Sequence, residues 1–426
     1  MVFITKRDGR RVPFSRDKIE SAVLKAFKAI DFEVSDYASL KASNIADYIE
    51  KISFTKELTV EEIQDMVQTG LMKTQRPDVA EAFITYRRER QRAREQRSPL
   101  MKKVKEKLSA KNVVNQNANV DERSFGGRKG EADSVMMKKM ALDEFISPKS
   151  RYLHENNEIY IHDLDSYAVG MHNCLTIPFD KLLAEGFNTR QTDVRPANSI
   201  NTAFQLVAVI FQLQSLQQFG GVSASHLDWT MVPYVRKSFT KHITDGLRYI
   251  EGLSDYKIER FNKWIEAEKN GVIDFGDEEF KKLHELAWNY AMDMTERETK
   301  QAVEGMYHNL NTLQSRSGNQ LPFTSINYGT CTLPEGRLVI KALLEGSLKG
   351  VGKFHKTAIF PCSIFQSMKG VNRAPGDPNY DMYKLAIKST SLRVYPNYAN
   401  VDWSGNEGYD RNDPSTYFST INKPVA

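Results

Sequence analysis

Cysteine is scarce in this chain of 426 residues, which contains only Cys174, Cys331 and Cys362. Three cysteines cannot build a disulfide framework, so we expect a reducing, cytoplasmic setting. The sequence also lacks a Cys-x-x-Cys pair and a His-x-x-x-His pair, which are typical of zinc sites. Convergence of His162, His172 and Cys174 on a metal is the alternative to a structural role for the two histidines, which we favour. We expect no metal site in this chain.

Long apolar runs are also absent. The stretch FQLVAVIFQL is too short, and too interrupted by glutamine, to span a membrane. The N-terminal stretch MVFITKRDGR has no apolar segment of the kind found in signal peptides. The composition, 40% hydrophobic and 27% charged, is typical of chains that bury sizeable cores. We therefore expect a soluble cytoplasmic protein of two or three domains, with no membrane partner.

Charge is unevenly distributed. The net charge is +5, yet residues 87–111 carry eleven Lys or Arg and three Glu, a local charge of +8 that leaves −3 elsewhere. No aromatic residue interleaves with these basic residues, as would be typical of single-stranded nucleic-acid binding. The run therefore predicts a solvated helix leading into a linker, with no nucleic-acid partner.

A phosphate loop of the Walker type is excluded. The Gly352-Lys353 pair would need Gly five residues before Gly352, where Ser347 stands. It would also need Ser or Thr after the lysine, where Phe354 stands.

The first 95 or so residues have the pattern of a compact unit. The stretch FITKRDGRRVPF predicts two short strands around an Asp8-Gly9 turn. A helix is expected from Ser15, its N-cap, and another from the capping box that begins at Thr59. Arg76-Pro77-Asp78 ends that helix, and a further helix follows.

The pattern weakens over 98–130, which is rich in Lys, Asn and Gly and reads as a linker. Helical spacing then predicts helices at 131–147, 197–218, 227–250, 256–270, 277–315 and 335–350. Strand-like apolar runs lie at 158–162, 173–178, 323–328 and 357–366. Helices with interspersed short strands predict an α/β fold.

The N-terminal unit resembles an ATP-cone domain. The similar segments are ITKRDGRRVPFSRDKI, LTVEEIQDMVQ and AFITYRRER, in that order. The resemblance implies ATP and dATP as allosteric effectors. A tight hairpin with cations near a helix N-terminus suits a triphosphate. The implied nucleotide contacts are Lys6, Arg7, Gly9, Lys18 and Thr59. An ordinary small α/β cap with surface basic residues remains the alternative.

The remainder is similar to the catalytic domain of anaerobic (class III) ribonucleotide reductases. Among the similar segments are NANVDERSFGGRKGEA, IYIHDLDSYAVGMHNCL, QLQSLQQFGGVSASHLD, LPFTSINYGT and GVNRAPGDPNYDMYKLAIKSTSLRVYP. The resemblance implies the N-terminal half of a ten-stranded, glycyl-radical-type α/β barrel. It implies reduction of ribonucleoside triphosphates to deoxyribonucleotides by a radical mechanism. We expect an ATP cone at 1–97, a basic linker at 98–118 and the barrel part at 119–426.

Cys174 acquires a role only through this resemblance. Composition alone favours a small buried core residue for all three cysteines. In the family, the cysteine at the position of Cys174 carries the thiyl radical that removes the 3′ hydrogen of the ribose. The resemblance places it on a strand inside the closed barrel, where water and oxidants are excluded. Cys331 and Cys362 inherit no role.

A second nucleotide site is implied near QFGGVS, facing a homodimer partner and tuning base specificity. The implied residues are Asn201, Gln217, Gln218, Gly220 and Gly221. Helix capping by the two glycines is the alternative interpretation.

Three family features are missing from these 426 residues: a Met-Gly-Cys-Arg segment, a cysteine-rich zinc site and a glycyl-radical motif. Gly408-Tyr409 matches only two residues of that motif, and we interpret it as a turn. We therefore expect the N-terminal part of a split enzyme, an interrupted product or a remnant, inactive alone. It would need a C-terminal reductase fragment bearing the glycyl radical and zinc, and a radical-SAM activase. A non-catalytic ATP/dATP-binding regulator is the alternative, and the cone argues against a glycyl-radical lyase.

Overall fold

The computed structural model describes residues 2–7, 9–96, 98–109, 124–170, 174–218, 220–316, 319–403 and 405–420. The chain forms two compact units, an N-terminal unit of Met1–Lys103 and a C-terminal unit of Val104–Ala426. No helix in the described ranges is both long and apolar enough to cross a membrane.

The N-terminal unit is a three-stranded sheet with helices. Strands β1 (Phe3–Thr5) and β2 (Arg11–Pro13) form the predicted antiparallel hairpin, and β3 (Leu58–Thr59) pairs parallel with β1. Gly9 has a φ of +79°, which suits glycine at the turn; Asp8 lies outside the described residues. The helices are α1 (Arg16–Asp31), α2 (Asp36–Ser53), α3 (Val60–Met72) and α4 (Pro77–Gln96).

Local signals set two of these helix starts. Thr59 Oγ1 accepts a hydrogen bond from Glu62 N at 3.2 Å, and Glu62 Oε2 accepts one from Thr59 N at 2.8 Å, so the predicted capping box is confirmed. Ser15 is the N-cap of α1 as predicted, although its side chain makes no capping hydrogen bond. α4 begins at Pro77, where the sequence predicts the break.

The helix α5 (Pro99–Ser109) was not predicted, because 98–130 reads as a linker. The helical signal is present in Leu100, Val104 and Leu108, which recur at four-residue spacing. Val104 is buried, and Lys107 forms an ion pair with Glu131 at 2.6 Å. The next helix begins at Phe125, also inside the predicted linker-like stretch. Residues 110–123 lie outside the described part of the chain.

The C-terminal unit alternates helices with short strands. Its helices are α6 (Phe125–Met140), α7 (Pro148–Glu155), α8 (Leu164–Tyr167), α9 (Phe179–Glu185), α10 (Ile200–Ser215), α11 (Leu227–Tyr249), α12 (Asp255–Glu268), α13 (Glu278–Leu283), α14 (Glu285–Thr312), α15 (Pro334–Lys349) and α16 (Tyr380–Arg393). Its strands are β4 (Leu175–Thr176), β5 (Phe187–Asn188), β6 (Asp193–Val194), β7 (Val222–Ala224), β8 (Thr324–Tyr328), β9 (Cys362–Ser367) and β10 (Asn397–Asn400).

Five of these strands form one parallel sheet in the order β10-β9-β8-β7-β4, with β4 at one edge. β5 and β6 form a separate antiparallel pair. The predicted mixed α/β fold is confirmed. A ten-stranded closed barrel stays a prediction, because the described residues form a five-stranded sheet with two edges.

The two faces of this sheet differ in polarity. One face carries Val222, Ile326 and Phe365, which are buried in one cluster with residues of α10, α11, α14 and α15. Because side chains alternate along a strand, the neighbouring positions point to the other face. That face carries Ser223, Asn327 and Gln366, and we call it the polar face.

One predicted strand is wrong. Residues 158–162 have no partner strand among the described residues and follow α7 as irregular chain. Asn157 has a φ of +60°, which turns the chain, and Ile161 N donates to His154 Nδ1 at 3.1 Å instead of to a neighbouring strand. The other three predicted strands occur, with shifted or shorter bounds.

Candidate functional site

A cavity of about 410 Å³ lies between the hairpin, α1, α3 and α4 of the N-terminal unit. Part of its wall is apolar, including Ile4, Val12, Phe14, Ile63 and Phe83. The basic side chains that line it are Lys6, Lys18, Arg87, Arg90 and Arg94. An apolar wall beside clustered cations matches the two ends of a nucleotide.

The cations of this cavity differ in how they are neutralised. Arg87 donates to Glu61 Oε2 at 2.8 Å and to Asp65 Oδ1 at 2.6 Å. Lys6 and Lys18 are exposed, and in the described ranges no acidic side chain contacts either of them. The two lysines therefore offer positive charge to a ligand.

Electrostatics holds Arg87 in place. Burial lowers the pKa of Arg87, but hydrogen bonds with Asp65 and Glu61 outweigh burial, so that its pKa is raised overall. Burial raises the pKa of Glu61, yet the hydrogen bonds from Arg7 and Arg87 hold the pKa of Glu61 below its usual value. Arg87 and Glu61 are both charged at neutral pH, and they brace α3 against α4.

The structure brings only two of the five predicted nucleotide contacts to the cavity, Lys6 and Lys18. Arg7 turns to Glu61, with which it forms an ion pair. Thr59 caps α3, and Gly9 forms the hairpin turn. Nucleotide contacts from Arg7, Gly9 and Thr59 stay predictions.

Sequence reasoning missed the arginines of α4. The basic run predicts a solvated helix, whereas Arg87, Arg90 and Arg94 recur at spacings of three and four residues and line one cavity. That spacing, next to the apolar Phe83 and Tyr86, was the available signal. Arg90 Nε donates to Tyr86 Oη at 3.0 Å.

Gln64 is a further residue that the sequence did not single out. It lines the same cavity, and its Oε1 atom is buried without a hydrogen-bond partner among the described residues. A buried acceptor without a partner is costly unless a ligand or water supplies a donor.

Cys174 lies immediately before β4 and is exposed, so its interpretation as a buried core residue is wrong. The resemblance places Cys174 within a strand, whereas β4 begins one residue later, at Leu175. The reason is its position at the sheet edge, where β4 has only β7 beside it among the described strands. Leu175 N donates to Gly221 O at 3.1 Å, which fixes the chain next to Cys174.

The polar face continues from Cys174. Thr176 follows two residues later and pairs with Ser223 in β7. Strand alternation therefore puts Cys174 on the same face as Thr176 and Ser223. Asn327 Nδ2 donates to Ser223 Oγ at 3.0 Å, which extends this face into β8.

Arg316 supplies positive charge close to Cys174. Burial lowers the pKa of Arg316 to about 10, and the nearby Asp163, Asp165 and Cys174 act in the opposite direction. The guanidinium stacks over the Phe323 ring at 3.9 Å from its centroid.

Cys331 and Cys362 are buried, as predicted for small core residues. Burial raises the pKa of both thiols. Cys362 Sγ lies 3.4 Å from Tyr395 Oη.

The described residues contain no group of three or more side chains that could hold a metal ion. His162 Nδ1 lies 2.6 Å from Asp163 Oδ2, on the surface. His172 lies outside the described residues.

The residues implied for a second nucleotide do not all meet within one chain. Asn201 is exposed at the start of α10 and Gln217 is exposed beyond its end, so the 16-residue helix separates them by roughly 24 Å. Gln218 is buried, and its Nε2 donates to Gly221 O at 2.9 Å. Gly220 and Gly221 are also buried, and the hydrogen bond from Gln218 to Gly221 O links these neighbouring residues.

Comparison with known families settles the class of protein. The sequence profile of anaerobic ribonucleoside-triphosphate reductase matches residues 116–417, and that of the ATP cone domain matches residues 2–92. The chain belongs to the anaerobic ribonucleoside-triphosphate reductase family. Its N-terminal part carries an ATP cone.

Curated relatives agree with this assignment. The anaerobic ribonucleoside-triphosphate reductase of Haemophilus influenzae is 30% identical over 406 residues, covering 94% of this chain and 52% of the relative. The Escherichia coli enzyme of the same name is 29% identical over 402 residues, covering 94% and 51%. The chain thus spans about half the length of these reductases.

Solved structures of the Thermotoga maritima anaerobic ribonucleotide reductase are also similar. The complex with dATP and CTP has a TM-score of 0.45 at 13% identity, covering 71% of this chain and 46% of that one. The form with glycerol in the active site has a TM-score of 0.47 at 14% identity, covering 72% and 46%.

Proposed function

We propose that this reductase-family chain serves the anaerobic reduction of ribonucleoside triphosphates to deoxyribonucleoside triphosphates. Control would come from ATP and dATP bound by the ATP cone. The observation that carries the regulatory part is the cavity in which Lys6 and Lys18 lie beside the arginines of α4, with no acidic side chain in contact with either lysine among the residues that the structure describes.

The cavity suits a nucleoside triphosphate in both its parts. Lys6, Lys18 and Arg94 would bind phosphate oxygens through charge-assisted hydrogen bonds. The base would pack against the apolar wall near Tyr86, while Gln64 Oε1 would accept a hydrogen bond from an amino group of the base.

For the chemistry we propose Cys174 as the thiyl-radical residue that removes the 3′ hydrogen of the ribose. Its side chain lies on the polar face of the parallel sheet, opposite the helix-packed face. Sulfur holds an unpaired electron well, and its radical can still take hydrogen from a ribose carbon. A glycyl radical on a C-terminal reductase segment would take the hydrogen atom from this thiol, which would leave the radical on sulfur and restore the glycine.

The remaining parts of the proposal concern assembly. Residues 1–97 act as the regulatory domain, 98–118 as a connection and 119–426 as the N-terminal half of a ten-stranded barrel. The five parallel strands, and the coverage of only 52% of the Haemophilus influenzae relative, support the half-barrel part of this proposal. The C-terminal segment would also carry zinc, and a radical-SAM activase would install the radical.

We also propose a homodimer with a specificity nucleotide at its interface. Since α10 separates Asn201 from Gln217, each site would take residues from both copies. The residues concerned are Asn201, Gln217, Gln218, Gly220 and Gly221.

Calorimetric titration of the full chain with ATP and dATP tests the regulatory site. Lys6→Glu should weaken binding at least tenfold, about 1.4 kcal/mol, because a cation on the phosphates becomes an anion. Lys51→Glu is the matched control, since Lys51 is exposed on α2 and does not line the cavity. Equal affinity in wild type and Lys6→Glu would show that the site is elsewhere.

Anaerobic assays of deoxyribonucleotide formation test the reductase assignment. We expect product when the chain is combined with a C-terminal reductase segment and an activase, and none when either is left out. Tight ATP binding without product in the complete mixture of chain, C-terminal segment and activase would contradict the proposal and indicate a regulatory protein.

A further inference from the structure

Residues 418–420 follow the polar face of the sheet and bind it through their main chain. Asn327 Nδ2 donates to Thr420 O at 3.2 Å, and Thr420 N donates to Asn327 Oδ1 at 3.1 Å. One carboxamide thus pairs with both main-chain groups of one residue, as a neighbouring strand would.

Two further side chains extend this contact. Gln366 Nε2 donates to Phe418 O at 3.1 Å, and Ser223 Oγ donates to Thr420 O at 3.3 Å. Ser223, Asn327 and Gln366 come from the adjacent strands β7, β8 and β9, and all three are 0% exposed. Burying three polar side chains is costly unless each has partners, and the segment supplies part of them.

An apolar anchor precedes the main-chain contacts. Tyr417 is buried in a small cluster with Met368, Val371 and Val401. Its hydroxyl donates to Arg411 O at 2.7 Å. Apolar packing and this hydrogen bond together hold the Tyr417 side chain in place. The anchor sets the register in which residues 418–420 reach the polar face.

The sheet face contacts the main-chain groups of residues 418–420, and their side chains take no part in the hydrogen bonds. The hydrogen bonds described above use carbonyl and amide groups of Phe418 and Thr420. Among the described residues, the side chains of Ser419 and Thr420 make no hydrogen bond. This is the chemistry of β-strand addition, supplied here by side chains on a sheet face.

We propose that Ser223, Asn327 and Gln366 form a docking site for an extended polypeptide main chain. Its occupant in this structure is the chain's own segment 418–420. The site binds residues 418–420 through their backbone, and the buried Tyr417 ring sets their register.

The docked segment and Cys174 share one face of the sheet. Thr176 is the register partner of Ser223, and Cys174 stands two residues before it, roughly 7 Å along the strand. The docking site therefore holds a polypeptide segment beside the proposed catalytic thiol. Only this consequence rests on the proposed function, whereas the docking itself does not.

Hydrogen exchange of the Thr420 amide in the full chain tests the docking. We expect exchange at least about tenfold slower than in an unstructured peptide, and at least about tenfold acceleration in Asn327→Ala. Thr420→Ala should keep the main-chain amide of residue 420 protected, because the docking site binds only main-chain groups of this residue. Thr176→Ala is the control on the same face, and it should leave the protection unchanged.

A second variant guards against misfolding of Asn327→Ala. Gln366→Met keeps the side-chain length but removes the donor to Phe418 O, and it should speed exchange about threefold as the segment opens. Two results would overturn the proposal. One is an unprotected Thr420 amide in the wild type; the other is protection that both variants leave intact. Neither result bears on ATP binding or on nucleotide reduction.

Discussion

At the scale of single residues, the pair of His226 and Asp180 ties α9 to the start of α11. His226 Nε2 lies 2.7 Å from Asp180 Oδ2, and Ser225 Oγ lies 2.7 Å from His226 Nδ1. Thr230 Oγ1 donates to Asp180 Oδ1 at 2.6 Å. Burial lowers the pKa of His226, but the hydrogen bond and charge of Asp180 outweigh it and raise that pKa overall.

This raised pKa makes stability depend on pH. The stabilisation is complete below the unfolded pKa, about 6.5, and is lost as pH rises through the folded pKa. Asp180→Asn should lower the free energy of unfolding by about 1 kcal/mol at pH 6, since Asp180 is partly exposed, and by less at pH 9. Urea unfolding at both pH values measures this.

Asp255→Asn is the control for that experiment, because Asp255 is exposed and forms a longer pair with Arg248 at 3.4 Å. Its effect should be small at both pH values. A loss in Asp180→Asn that is the same at pH 6 and pH 9 would contradict the raised pKa of His226.

Local signals made some residue roles predictable. The capping box of Thr59 depends on residues three apart, so the sequence contains all of it. The exposure of Cys174 depends on which strand lies at the sheet edge, and no local pattern specifies that. The sequence predicts Lys6 and Lys18 as nucleotide contacts, but only the fold shows that no acidic side chain of the described ranges contacts them.

At the scale of elements, α4 presents one cationic face to the cavity. Arg90→Glu should weaken dATP binding at least tenfold, because Arg90 lines the cavity beside Tyr86. Arg92→Glu makes the same charge change on the same helix, but Arg92 is exposed and does not line the cavity. Calorimetry should therefore separate the two variants, and equal losses would indicate only a general effect of charge.

The start of α3 gives a second prediction at this scale. Thr59→Ala removes the capping hydrogen bond to Glu62 N, and it should lower the stability of the N-terminal unit by about 1 kcal/mol. Thermal unfolding measures the loss. A large fall in ATP affinity with unchanged stability would instead make Thr59 a nucleotide contact.

Elements with weak patterns escaped prediction. In α2 half of the buried positions are alanines, Ala38, Ala42 and Ala46, which contribute little apolar surface to the buried side of the helix. In α16 only Met382, Ala386 and Ser389 are buried, and no clear stripe forms. The helices α10 and α11 were predicted with bounds within a few residues.

At the scale of the whole molecule, the sequence predicts a mixed α/β protein, and the structure shows a parallel sheet packed by helices on one face. Strand order could not be predicted, because it depends on contacts between distant segments. The most informative feature at this scale is the polar face, on which Cys174 lies near Ser223, Asn327 and Gln366.

The most direct test of the account is ribose 3′ C–H cleavage in the reconstituted anaerobic reaction, followed with 3′-tritiated substrate. Cys174→Ser should abolish both this cleavage and deoxyribonucleotide formation, because an alcohol O–H is too strong to yield its hydrogen to a neighbouring radical. ATP binding by the cone should stay unchanged, and Cys362→Ser should keep turnover. Persistent 3′ cleavage in Cys174→Ser, or its loss in a folded Cys362→Ser, would contradict the account.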